Sequence, residues 1–256
     1  IAFASDPSTA PVLADSFNTN LYTGNGSTQS ISGLGFKPNL VWIKARNQAY
    51  NHQLHDSLRG AGDAIYSDLT SPGGYIGTVS SFDTDGFTVD GTTYAGTNGS
   101  GATFVSWNWK ANPIPTINTD GTIQSVVSAN ANAGFSIIKY IGNETAGQTV
   151  GHGLSAAPEI AFIKQLDGTR EWQVPLFTET SGDYLILNST AAEATDTTRW
   201  SAVSSTTFTI GAQPHTNGAG SPYIAYCFHS VSGYSKFGSY VGTGLDQSIT
   251  GHWFPA

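Results

Sequence analysis

The stretch GFSIIKYIGNETAGQTVGHGLSAAPEIAFIK, residues 134–164, decides how the chain reads, because the sequence contains it almost three times. Residues 15–44 run DSFNTNLYTGNGSTQSISGLGFKPNLVWIK, so Tyr22, Gly24, Asn25, Pro38, Ile43 and Lys44 match Tyr140, Gly142, Asn143, Pro158, Ile163 and Lys164. Residues 233–256 run GYSKFGSYVGTGLDQSITGHWFPA and reach the proline of the same pattern. Such a period marks a duplicated structural unit and comes before any local reading. Tyr140 follows Tyr22 by 118 positions, Lys164 follows Lys44 by 120, and Phe228 follows Trp109 by 119. Drift this small is what surface loops absorb. The expected organisation is an extended arm or linker over 1–16, a first β module over 17–112 and a connector over 113–131. A second module over 132–232 follows, and 233–256 reads as the opening segment of a truncated third.

Each module spells short strands punctuated by turns. Pro38 introduces Leu40-Val41-Trp42-Ile43-Lys44, an apolar run short enough for a strand buried on both faces. Residues 29–32, His52–Asp56, Asp63–Ser67 and Phe87–Val89 read as further strands, while Gly24-Asn25-Gly26, Asp83-Thr84-Asp85-Gly86 and Asn98-Gly99-Ser100-Gly101 read as turns. In TFVSWNWK, residues 103–110, alternation puts Val105, Trp107 and Trp109 on one face and Phe104, Ser106, Asn108 and Lys110 on the other. The indole face is expected to meet the core, and Ile224, Tyr226 and Phe228 take the same face in the second module. A turn over 118–121 and a strand near 122–128 structure the connector. Ser189–Thr198 is helix-friendly but lacks an apolar stripe, which allows one turn at most. The fold class is therefore all-β, two tandem antiparallel β-sandwich or jelly-roll-like modules with the start of a third.

Composition narrows the function classes. Charged residues make up 11% of the chain, against about 25% in a typical soluble domain. Hydrophobic residues reach 39% in regular short runs, which argues against disorder. A net charge of −8, with no Lys/Arg cluster, removes the positive footprint that nucleic-acid binding needs. No apolar run approaches the roughly 18–20 residues of a membrane-spanning helix. Ile1 opens a small polar stretch unlike a signal peptide and no Met is present, so both ends are expected to be cuts from a longer polypeptide. Cys227 is the single cysteine, so no intrachain disulfide forms, and its alternating strand context suits a small packed side chain.

Candidate chemistry is sparse. His52-x-x-His55-Asp56 has the residue types of a metal site, but in a strand the two histidines point to opposite faces. Asp83-x-Asp85-Gly86 resembles the start of a calcium loop without its later ligands, so a β-turn is the better reading. Cys227 and His229 share a strand face, a poor geometry for activating a nucleophile. Gly24-x-Gly26 and Gly142-Asn143 open no helix and read as hairpin turns. Asn25, Asn98, Asn143 and Asn188 begin glycosylation sequons that arise by chance in a Ser/Thr-rich chain. No catalytic, cofactor or metal residue is assigned.

The motifs PNLVWIKAR, HDSLRG, DTDGFTVDG, GATFVSWNWKA, SANANAGFSIIKYIGN, TVGHGLSAAPEIAFIK, SSTTFTIG and YIAYCFHSVSGYSKFGSY resemble a repeated β module in large virion proteins of tailed bacteriophages, marine ones especially. The resemblance covers nearly all of residues 15–256 and points to tail-fibre or surface-appendage polypeptides. It implies a non-enzymatic structural protein on the virion surface, without cofactor, contributing to host attachment. It also implies homo-oligomerisation, trimeric in a tail fibre, and contacts with other virion proteins. It carries over no catalytic or ligand residue. Two alternatives stand beside it. One is a glycan-binding adhesin with Trp172, Trp200 and Trp253 as candidate sugar platforms, although Trp172 falls in an expected strand and Trp200 also reads as a loop anchor in the core; the other is a polysaccharide depolymerase built on a convergent acid pair.

Overall fold

The computed structural model describes residues 13–76, 78–92 and 94–248. A four-residue helix, α1 (Leu13–Ser16), ends the expected arm, whose earlier residues lie outside the described ones. Nine strands follow: β1 (Phe17–Thr23), β2 (Gln29–Ser32), β3 (Leu40–Ala45), β4 (Gln53–Asp56), β5 (Asp63–Tyr66), β6 (Tyr75–Ile76), β7 (Val79–Asp83), β8 (Gly86–Val89) and β9 (Thr103–Trp109). They form a large sheet in the order β1-β9-β3-β4-β5-β6 and a small one in the order β2-β8-β7, antiparallel throughout.

The second half repeats this plan. The connector supplies β10 (Thr116–Asn118) and β11 (Ser125–Asn130), and β12 (Phe135–Ile141) opens the repeat. After it come β13 (Gln148–Gly151), β14 (Ile160–Gln165), β15 (Gln173–Pro175), β16 (Asp183–Ile186), β17 (Ala194–Thr195), β18 (Trp200–Val203), β19 (Thr207–Ile210), the short helix α2 (Pro214–Asn217) and β20 (Pro222–Phe228). The large sheet runs β10-β11-β12-β20-β14-β15-β16-β17 and the small one β13-β19-β18. Register repeats residue for residue: Phe17–Trp109–Leu40 lie across three strands as Phe135–Phe228–Ile160 do. The connector strands are thus built into the large sheet, capping the edge that β1 leaves open in the first half. Ser189–Thr198 holds turns and β17, with no helix.

The matching residues of the repeat hold each sandwich shut. Tyr22 stacks on Phe104 with ring centroids 5.1 Å apart, and Tyr140 stacks on Tyr223 at 5.1 Å. The Tyr22 hydroxyl donates to the Thr97 carbonyl and the Tyr140 hydroxyl to that of Thr216, each at 2.7 Å. Next to them Asn98 Oδ1 accepts from the Asn25 amide, and Asn217 Oδ1 from that of Asn143. The backbones come so close that a Cβ on Gly24 would lie 2.3 Å from the Gly99 carbonyl oxygen, and one on Gly142 2.4 Å from that of Gly218. Tyr-x-Gly-Asn is therefore a latch closed by a second repeated motif, Thr-Asn-Gly at 97–99 and 216–218.

Three hydrophobic clusters follow from the strand periodicity. Val41, Ile43, Phe87, Val89 and Phe104 fill the first sandwich. Ile138, Ala161, Ile163, Phe208 and Tyr223 fill the second. The alternate residues of the same large-sheet strands meet in the third: Leu40, Leu54 and Ile65 of the first half lie against Ile137, Trp172, Ile224 and Tyr226 of the second. The two large sheets therefore pack back to back, giving four layers from small sheet to small sheet.

The core-facing orientation expected of the indole side holds in part: Ile224, Tyr226 and Phe228 are buried in the third core and Trp109 packs against it, while Trp107 stands outside. Phe104, Ser106 and Asn108 are the buried face of β9, and Val105, Trp107 and Trp109 are only half-buried. Small polar residues are tolerated inside because they bond there: Asn108 Nδ2 donates to the Asn18 carbonyl and to Ser106 Oγ, both at 3.0 Å. The indoles face the seam between the modules. Beyond β20, Phe237 packs on Phe228 at 5.7 Å, while Tyr240 and Val241 are 68% and 83% exposed. Residues 236–248 join no sheet.

Candidate functional site: the seam between the modules

At the centre of the seam lies a buried ionic network. Asp56 ends β4, and its Oδ1 accepts the amides of Leu58 and Arg59 at 3.0 Å each, fixing the turn of His-Asp-Ser-Leu-Arg-Gly. Arg59 Nε donates to Asp56 Oδ2 at 2.5 Å, and its other nitrogens reach the Asp63 carbonyl and carboxylate and the Leu54 carbonyl. From the second module the Tyr226 hydroxyl donates to Asp56 Oδ2 at 2.7 Å. Burial opposes the guanidinium charge, but Asp56, Tyr226 and Asp63 outweigh it, so the Arg59 pKa is pushed up. Burial, then Asp56, holds the Tyr226 phenol well above its ordinary range. The Asp56 and Asp63 carboxylates are thus engaged by cation, hydroxyl and amides.

His55, beside this network, is fully buried, with Nδ1 2.8 Å from the Ala61 carbonyl and Nε2 3.1 Å from Gln53 Oε1. Burial first, with Arg59 assisting against the bonding carbonyl and Asp56, lowers its pKa to about 4. The unfolded chain takes up this proton near pH 6.5 and the folded chain only near 4. The contribution of neutral His55 is therefore complete above about pH 6.5 and is lost as pH falls toward 4, amounting to about 3 kcal/mol. Urea unfolding between pH 7 and 4 should show this slope, and His55→Gln should flatten it by a comparable amount.

Along strands β3 and β9 the seam opens into a groove floored by aromatic rings. One end is an apolar cavity of about 470 Å³ that includes Phe17, Trp109, Phe162 and Phe237. Its middle is lined by Trp42, Lys44, His52, Trp107 and Trp109. The other end takes in His52, Ser67, Asp68, Asn188 and Ser189, and Trp42 lines all three parts. Trp42 meets Trp107 edge-on at 6.2 Å and Phe162 at 6.3 Å. Lys44 Nζ is held by the carbonyls of Gln48 and Tyr50, as Lys164 Nζ is by those of Gln165 and Gly168. Both repeat lysines therefore pin a loop, and burial lowers the Lys164 pKa to about 8.

The residues singled out in the sequence separate. His55 is inside and His52 lines the groove, so they do not converge. Asp83 accepts from Ser81 and Thr88, and Asp85 from the amides of Gly33 and Gly35, so both tie turns together. Cys227 sits fully buried in the second core, where burial pushes its thiol pKa up. Asn98 is buried against Asn25, and Asn188 Oδ1 accepts the Trp172 amide. Among the described residues no group of three His, Cys, Asp or Glu is placed to hold a metal ion, and no helix is long and apolar enough to cross a membrane.

The expected sugar platforms are not surfaces. Trp172 is buried in the third core, its indole donating to the Tyr66 carbonyl at 2.8 Å. Trp200 is buried against Phe177 and donates to the Asp183 carbonyl at 2.9 Å. Trp253 lies outside the described residues. The half-buried indoles are Trp42, Trp107 and Trp109: alternation put the last two on a core face, and Trp42 fell in a run expected to be buried on both faces.

Residues 13–250 match a family model described as a domain of unknown function, DUF7483. The chain belongs to the DUF7483 family. No curated protein and no solved structure matches it. The matched range takes in both sandwiches, so this DUF7483 domain is the fused pair.

Proposed function

We propose that the chain is a non-enzymatic structural segment of a phage virion, part of a fibre or surface appendage built from repeated β modules. The observation that carries this reading is the third hydrophobic core. It joins two sandwiches into one unit, crossed by Tyr226–Asp56, Trp172–Tyr66 and the amide of Gly73 on the Leu166 carbonyl at 2.7 Å. Such a unit transmits load as one body, unlike beads on a linker. The repeated polar residues support the same reading, since the Tyr, Asn and Lys of each copy are spent on latches and loops. In this role the chain works on the particle surface, as a homo-oligomer (a trimer in a fibre) beside other virion proteins, and takes part in host attachment.

Antibody against residues 13–248, applied to purified particles of the encoding phage, should decorate appendages in electron micrographs. Peptides of the chain should be recovered from the same particles by mass spectrometry. Particles that carry neither label nor peptides would overturn the proposal.

A further inference from the structure

We infer that the seam groove is a binding site for a neutral oligosaccharide, with the half-buried indoles of Trp42, Trp107 and Trp109 as its floor and His52, Asp68 and Asn188 as its polar end. A pyranose ring is amphipathic: its C–H bonds make one face apolar, and its hydroxyls project around the edge. The electron-rich face of an indole attracts those C–H groups, and each ring supplies a broad rigid surface at small entropic cost. The groove has both halves of such a site.

Its middle is indole on two sides, with Trp42 and Trp107 inclined at 68°. Its far end presents planar groups with spare hydrogen-bonding capacity. Among the described residues, the His52 imidazole and the Asn188 amide nitrogen make no hydrogen bond, and only one Asp68 oxygen is engaged, by the His52 amide. A carboxylate, an amide and an imidazole are suited to vicinal hydroxyls, which donate and accept side by side.

Charge selects the class of glycan. The chain carries −8, and Lys44, the one cation lining the middle of the groove, is committed to two backbone carbonyls. Asp68 at the polar end repels an acidic sugar and Lys236 lines only the apolar end, so over the indole floor and polar end an uncharged sugar is favoured over an acidic one. A mostly apolar cleft with a few placed polar groups is also the usual form of a small-molecule site. The buried tryptophans cannot serve, since Trp172 and Trp200 have no accessible face. The inference stands apart from the virion reading: a chain absent from particles could bind sugar, and a purely structural segment could bind none.

The test is tryptophan fluorescence of the full chain titrated with cellohexaose, chitohexaose, mannohexaose and maltohexaose. At least one should give a saturable change with a Kd of about 0.1–1 mM, the range of a shallow, partly solvated site. Trp107→Leu and Asp68→Asn should each weaken that binding at least about tenfold, with melting temperatures close to the parent. Leu245→Ser, at an exposed position that does not line the groove, should leave it unchanged. Asp68→Asn preserves shape, so it keeps the test decisive if Trp107→Leu folds poorly. Either of two results would overturn the inference: no saturable change with any of the four sugars, or affinity equal to the parent's in both groove variants.

Discussion

Arg59→Met should lower the unfolding free energy by about 3–5 kcal/mol, the cost of leaving a buried carboxylate without its cation. Asp56 is 0% exposed, and the Arg59 side chain is 1% exposed, so water cannot take over the lost interaction. Met restores much of the apolar volume, which separates the charge from the packing. Asp56 keeps the amides of Leu58 and Arg59 and the Tyr226 hydroxyl, but these cannot neutralise a buried anion. The variant should gain on acidification relative to the parent, because burial without Arg59 favours the protonated acid. Adding Asp56→Asn should recover most of the loss. Urea titrations at pH 7 and 5 would measure all three effects, and an Arg59→Met loss below about 1 kcal/mol would contradict the assignment.

Trp172→Ala should cost a similar amount, about 3–5 kcal/mol, through the largest void that one substitution can open in the third core. The indole stacks on Tyr226 with centroids 6.3 Å apart and bonds the Tyr66 carbonyl across the seam. Its loss weakens the junction while leaving both sandwich interiors intact. The informative outcome is therefore the shape of unfolding. Calorimetry should show one cooperative transition for the parent and two for the variant, as the modules melt separately. A variant that melted in one sharp step would mean that the modules are coupled elsewhere.

Much of the fold was legible, because repetition supplies a control within one chain. Tyr22 with Tyr140 and Lys44 with Lys164 mark the repeat, and runs such as 29–32, 40–44 and 103–110 fell on strands. The seam was not legible. Alternation in β9 separates Trp107 from Asn108 but does not say which face a partner covers, and large sheets buried on both sides defeat the inference from hydrophobicity. Tyr226 and Asp56 are 170 positions apart, and Trp172 and Tyr66 are 106 apart, so no local pattern announces those contacts. One signal was available for the latch: the Thr-Asn-Gly triplets repeat as faithfully as the Tyr-x-Gly-Asn motif they close.

The back-to-back packing is also unequal. Trp172 and His52 occupy the same place in their modules, as do Tyr226 and Trp107, and Leu185 and Ile65. Yet Trp172, Tyr226 and Ile65 are buried in the junction, while His52 and Trp107 line the open groove and Leu185 is 37% exposed. A two-fold pairing would treat each pair alike. The two copies are therefore no longer equivalent at their junction. Two first modules, or two second modules, would bring unmatched surfaces together, and the duplication that produced them can no longer be reversed by exchanging one for the other.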